Sequence, residues 1–183
     1  MTKKLLLLSC CAPCSVAVIK KLADDQTPFD VAFYNPNIHP AAEYQHRLQE
    51  NKRVCDLFGV PFIEFEYDPK RWHDLIKGLE NEPERGKRCA VCFHMRLLHV
   101  MTYAKENDYL GVSSVLGVSR HKDLEQVNRA ASQATLDTGF LYVPIEGRRD
   151  GMQEARRDLI KELSLYEQNY CGCVFSMREE LPL

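Results

Sequence analysis

Seven of the eight cysteines of this chain fall into three tight groups: Cys10-Cys11-Ala12-Pro13-Cys14, Cys89-Ala90-Val91-Cys92 and Cys171-Gly172-Cys173. A random scatter over 183 residues would rarely crowd seven into spans of five, four and three. Thiolates ligate zinc and iron–sulfur clusters and carry out dithiol exchange, so the chemistry on offer is metal binding, redox or both. Arg85, Lys87, Arg88 and Arg96 surround the second pair and favour thiolate charge there. Gly172 lets two cysteines bend toward one centre with no side chain between them. Structural zinc needs four thiolates, which Cys11/Cys14 with Cys89/Cys92 would supply, leaving Cys10, Cys171 and Cys173 idle. A thioredoxin-like dithiol needs only two. An iron–sulfur cluster takes up to four, so seven suggests a cluster plus a second site. Cys55 stands apart, on a helical stretch with Val54 and Phe58, and is expected to be a small buried hydrophobe.

The elements that must position these groups follow from hydrophobic runs. Strand-length segments at Leu5–Ser9, Asp30–Tyr34, Phe62–Phe65, Val112–Leu116 and Phe140–Val143 alternate with helical patterns. The helices are expected at about 15–23, 43–58, 89–105, 124–138 and 152–163, with Trp72 in a loop. Such alternation predicts an α/β fold: a mostly parallel, Rossmann-like sheet with helices on both faces. Ligands of such sheets sit beyond the carboxyl ends of the strands, where strand order switches. Cys10 and Cys11 fall there after the first strand, and Asn35-Pro36-Asn37 after the second, which predicts a metal site at that end. No Gly-rich phosphate loop stands at either place, so a dinucleotide fingerprint is absent. Cys11 and Cys14 straddle a strand-to-helix junction, where backbone N–H groups favour thiolates. Cys89 and Cys92, three apart at a helix start, face one side.

The chain is 45% hydrophobic and 27% charged, a globular composition with no linker or repeat, so residues 1–183 are expected to form one domain. Lys+Arg 24 against Asp+Glu 26 gives a net charge of −2, which excludes a blanket nucleic-acid binder. The run Leu5–Leu8 is too short for a bilayer span or for a secretory segment. A cytoplasmic chain with no membrane association is therefore expected, and extracellular disulfides are not. Locally, Arg85 to Arg96 holds four cations and no acid, and Arg120, His121 and Lys122 form a weaker patch. Arg85, Lys87, Arg88, Arg96, Arg120 and Lys122 are thus the candidate RNA contacts. Arg148, Arg149, Arg156, Arg157 and Lys161 alternate with Glu146, Asp150, Glu154 and Asp158, and read as a solvated face. Tyr34, Trp72 and Tyr44 are candidates for stacking on bases, though aromatics at strand ends more often pack in a core.

In this order, the three cysteine groups resemble the epoxyqueuosine reductase family QueH. The resemblance rests on the double cysteine at Cys10-Cys11, on Cys89-Ala90-Val91-Cys92-Phe93-His94-Met95-Arg96-Leu97, and on Tyr166-Glu167-Gln168-Asn169-Tyr170-Cys171-Gly172-Cys173. Asn35-Pro36-Asn37-Ile38-His39-Pro40, followed by Glu43-Tyr44, matches as well, so the likeness runs from about residue 5 to residue 176. Two positions depart from the family pattern: Ser113-Ser114-Val115 stands where threonines are common, and Cys14 where Asp is also used. The resemblance implies a fold similar to the adenine-nucleotide α-hydrolases. It implies cobalamin-independent reduction of the epoxide of epoxyqueuosine, at the wobble position of tRNA, to queuosine. It implies a [4Fe-4S] cluster with an adjacent mononuclear metal, expected to be iron, the seven grouped cysteines serving as ligands. Tyr170 and His39 become candidate proton donors, and a flavodoxin- or ferredoxin-like protein the expected one-electron donor. Two other classes remain at this point: a zinc-stabilised binding module, and a thiol-dependent sulfurtransferase or disulfide reductase.

Overall fold

A computed structural model describes residues 3–149 and 151–177; Asp150, one of the acids balancing the 146–161 segment, lies outside them. Four strands form one all-parallel sheet in the order β3-β2-β1-β4: β1 Leu5–Ser9, β2 Phe29–Phe33, β3 Phe62–Glu64 and β4 Gly111–Ser114. Leu6, Leu7 and Leu8 are fully buried, as are Val31, Ala32 and Phe33, because both faces of a parallel sheet are covered. Asp30 is the acid inside β2, and Lys4 (3.0 Å) and the Tyr109 hydroxyl (2.7 Å) satisfy its two oxygens. Helices α1 (Ala12–Asp24), α2 (Ala41–Leu57) and α6 (Met152–Glu162) pack together through α1, while α4 (Lys87–Glu106) packs against α5 (Leu124–Thr138) and against β1 and β4. Right-handed crossovers put these two sets on opposite faces. Among the described residues no helix is long and apolar enough to cross a membrane.

The chain runs outward from β1 to β2 and β3, then crosses back to place β4 on the other side of β1. Strand order therefore switches between β1 and β4, and the loops leaving those two strands flank one crevice. Cys10 begins the first of these loops and Lys122 lies on the second.

The expected strand 140–143 is reduced to one bridge, Val112 to Tyr142, with two backbone bonds between Val112 and the residues flanking Tyr142. Trp72 is not in a loop. Asp68 caps a short helix, α3 (Pro69–Leu75), by accepting from Arg71 N at 3.0 Å, and Trp72 is buried on it. Helix α1 starts three residues earlier than expected because Pro13 presets its first turn. Tyr34, Tyr44 and Trp72 are all packed inside: Tyr34 stacks on His99 at 3.9 Å and Tyr44 on Tyr67 at 4.0 Å. None of the three offers a face to a base.

Cys55 is fully buried on α2, and burial pushes its thiol up to about 12, as befits a core residue. Cys55→Ser is expected to lose about 1–3 kcal/mol in denaturant titration, because a hydroxyl replaces a thiol in an apolar slot. Metal content of the purified protein should not change; a fall in metal with folding intact would place Cys55 at the site instead.

Candidate metal centre

Ser9 ends β1, and the next residues turn directly into α1, with Cys11 as its N-cap and Cys14 in its first turn. That junction brings Cys10, Cys11 and Cys14 together: their sulfurs all lie within 4.8 Å of one another, and all three residues are buried. Cys10 and Cys11 sulfurs are 3.8 Å apart. The Lys122 ammonium approaches Cys10 Sγ at 3.4 Å, and Gln168 Nε2 donates to Cys11 Sγ at 2.9 Å. Hydrogen bonds from its two neighbouring thiols, aided by Lys122 and Arg96, hold Cys10 well below the usual thiol range. The same sharing raises Cys11 and Cys14.

Two further segments complete the cavity. Helix α4 begins beyond Gly86 and carries Cys89 and Cys92 in its first two turns. Cys171-Gly172-Cys173 comes back from the far end of the chain. Desolvation raises both Cys89 and Cys92, the latter to about 12, and charge on Cys171 and Cys173 raises them further, so these four thiols share one electrostatic neighbourhood. The buried indole N–H of Trp72 has no hydrogen-bond partner and is among the groups favouring charge on Cys92. Cys10, Cys14, Cys89, Cys171 and Cys173 line a common cavity of about 450 Å³. Seven free thiols, an orphaned donor beside one of them and an ammonium against another form a donor set suited to thiophilic metal, with charge compensation already in place.

The C-terminal cysteine loop is held by a residue that spacing did not single out. Arg47, 2% exposed, donates from Nη1 to the Cys171 carbonyl at 2.9 Å and from Nη2 to the Tyr170 carbonyl at 3.2 Å. Its Nε pairs with Glu43 at 2.6 Å, and its guanidinium lies over the Tyr170 ring at 5.2 Å. Glu43 also accepts from the Tyr166 hydroxyl at 3.0 Å, and His39 N donates to the Gly172 carbonyl at 2.7 Å. Gly172 has φ 129°, and a Cβ there would meet Arg47 Nη1 and Ile38 Cγ1, each at 3.1 Å, so glycine is required. The 35–44 segment is thus the cradle of the last cysteine loop. The only signal for Arg47 was its position four residues after Glu43 on one helix face.

The candidate RNA contacts divide. Arg85, Lys87 and Arg120 are exposed, Arg85 lining the cavity and Lys87 a neighbouring groove. Arg88 and Arg96 are each 2% exposed and turned inward: Arg88 donates to the carbonyls of Leu79, Glu80 and Glu82, and Arg96 to Tyr34 O and Asn35 Oδ1. Neither faces a surface strand of RNA. Lys122 faces Cys10 rather than solvent. His39 is exposed and does not line the cavity; what it contributes is its backbone, the carbonyl accepting from the Tyr170 hydroxyl and the N–H donating to the Gly172 carbonyl. Tyr170 does line the cavity, and burial pushes its phenol up to about 12. The 146–161 segment is not wholly a solvated face. Arg149 and Arg157 make long exposed pairs at 3.9 and 3.8 Å, whereas Arg148 and Arg156 donate to carbonyls of the site loops.

The family model described as epoxyqueuosine reductase QueH matches residues 5–179. The chain belongs to this family. An epoxyqueuosine reductase QueH of Histophilus somni is 43% identical over 177 residues, covering 96% of this chain and 73% of that protein. One of Haemophilus influenzae is 42% identical, over 96% of this chain and 72% of its own. A solved structure of U34-tRNA thiolase NcsA from Methanococcus maripaludis with its [4Fe-4S] cluster is 10% identical, covers 88% of this chain and 65% of that one, and superposes with a TM-score of 0.45. That likeness is too distant to bear on fold or chemistry here. The QueH match spans all three cysteine groups, which the fold gathers around one cavity.

Arg47→Met is expected to free the last cysteine loop. Amide exchange over residues 166–173 should quicken, and global stability should fall by roughly 3–5 kcal/mol, because Glu43 is left without its cation in a buried place. Unchanged exchange in that segment would show that Arg47 is not what holds it.

Proposed function

We propose that this chain reduces the epoxide of epoxyqueuosine, at the wobble position of tRNA, to the alkene of queuosine. The observation that carries this reading is the family match over residues 5–179 together with the convergence of that family's three cysteine groups on one cavity. The reaction takes two electrons and two protons per epoxide and releases one water. In this reading residues 1–183 form one metal-binding α/β domain, working in the cytoplasm, where thiols stay reduced. Cys89, Cys92, Cys171 and Cys173 hold a [4Fe-4S] cluster, and Cys10, Cys11 and Cys14 hold a neighbouring ion, iron by the donor set. When bound, such a pair supplies single electrons and a Lewis acid for the epoxide oxygen.

The chain's own side chains do the rest. Lys122 places positive charge beside Cys10. Gln168 supports charge on Cys11. Tyr170 stays protonated and lines the cavity, and its hydroxyl, which donates to the His39 carbonyl in this structure, would give a proton on turning from that carbonyl. Arg85, Lys87 and Arg120, all exposed, meet phosphates of the anticodon loop. Electrons arrive singly from a flavodoxin- or ferredoxin-like protein.

Anaerobically purified protein should be brown, with broad absorption near ~400 nm, and should convert epoxyqueuosine to queuosine in tRNA digests read by mass spectrometry. A colourless protein with stoichiometric zinc and no conversion would refute the reading. Single Cys→Ala changes should form two classes. Loss of Cys89, Cys92, Cys171 or Cys173 bleaches the protein and removes most of its iron. Loss of Cys10, Cys11 or Cys14 keeps the colour, removes about one metal per chain and abolishes turnover. Cys14→Asp should keep both colour and activity, since a carboxylate suits a lone iron. Equal loss of colour and iron in all seven would defeat the two-site division.

A further inference from the structure

The loop that leaves β4 carries Lys122, and its conformation is set by a residue outside every cysteine group. Arg148 Nε donates to the Gly117 carbonyl at 2.7 Å, and its Nη2 to the carbonyls of Ser119 at 2.6 Å and Lys122 at 2.8 Å. One guanidinium thus brackets both ends of the loop. Gly147 lets it come so close: a Cβ there would meet Val118 Cγ2 at 2.4 Å. Gln153 ties the same strap from its other end, donating to Gly147 O at 2.6 Å. On the opposite side of the loop, Arg85 Nε donates to the His121 carbonyl at 3.0 Å. With its backbone pinned on both sides, Lys122 sends its ammonium into the cavity, 3.4 Å from Cys10 Sγ.

We infer that Arg148 is a positioning residue for the cavity, acting through Lys122: its three-carbonyl bracket holds the Lys122 ammonium as a fixed positive charge against Cys10. A planar fork can span three carbonyls, whereas a lysine at the same place delivers its charge to one point. The geometry is independent of the reaction; only the use of the charge, to stabilise thiolate and developing oxyanion, rests on the proposed epoxide reduction.

The test reads local charge rather than turnover. The full chain, reduced and treated with chelator, is alkylated with iodoacetate, an anion, or iodoacetamide, its neutral analogue, and the rate at Cys10 is located by peptide fragmentation. A fixed cation raises the iodoacetate-to-iodoacetamide ratio. Lys122→Met should lower that ratio about fivefold, the factor a unit charge at ~4 Å gives in water-like surroundings. Arg148→Met should lower it comparably, and Arg148→Lys should not rescue it, although it keeps the charge. The double variant Lys122→Met/Arg148→Met should fall no further than Lys122→Met alone, because the two act as a unit. A wild-type ratio in both folded Arg148 variants, or a double variant that falls by the product of the singles, overturns the inference. If the ratios behave as expected but wild-type protein fails to reduce epoxyqueuosine in tRNA, the proposed function fails and the role of Arg148 stands.

Discussion

A buried guanidinium facing backbone carbonyls is the contact on which the rest of this site depends. Arg47 reaches across 124 residues of sequence to grip the carbonyl of Cys171, and with it the last cysteine loop, against the 35–44 segment. No described cysteine is in a disulfide, so nothing covalent draws the three groups together. Each charge-assisted bond contributes roughly 1.5–3 kcal/mol, enough to set the conformation of a loop with little core of its own. Glu43 makes this possible by keeping the buried cation paired while its second oxygen takes the Tyr166 hydroxyl.

The same device recurs around the cavity. Arg88 ties the 79–82 turn to the start of α4, Arg96 ties the end of β2 to α4, and Arg148 ties the loop after β4. Arginine suits this work because its fork meets several carbonyls at once and it keeps its charge when buried. It also answers the electrostatic difficulty of the site. Thiols taken out of water resist ionisation, as the raised Cys89 and Cys92 show, while cations held nearby favour thiolates. Arg96 and Lys122 act in this direction on Cys10, which lies at the switch in strand order where the sheet already opens a crevice.

Much of this was legible in the sequence. Apolar runs found the four strands within a residue or two, since a parallel sheet buries both faces and leaves little polar alternation to misread. The residues of 140–143 suit a strand, yet the structure keeps a single bridge there, Val112 to Tyr142. Trp72 lies on a helix rather than in the expected loop, and the signal for it stands in the sequence: Asp68-Pro69 is a cap followed by a helix-starting proline. The cysteine groups announced themselves by crowding. The arginines did not: local charge counts cannot tell a cation facing solvent from one facing a carbonyl, because the partners lie tens of residues away. Hence the expectation of RNA contacts fails at Arg88, Arg96 and Lys122, and that of a solvated face at Arg148. His39 shows the same limit, since its part in the site is a backbone N–H and carbonyl that any residue but proline could provide.

The account stands or falls on two thiolate sites, side by side, held by separate parts of the chain. Anomalous diffraction at the iron edge, from crystals of anaerobically purified protein, measures this most directly. The account predicts two resolved anomalous centres: a strong, cluster-sized one among Cys89, Cys92, Cys171 and Cys173, and a weaker single-atom one among Cys10, Cys11 and Cys14. A single centre bridging both groups, or iron at only one of them in fully active protein, would contradict it.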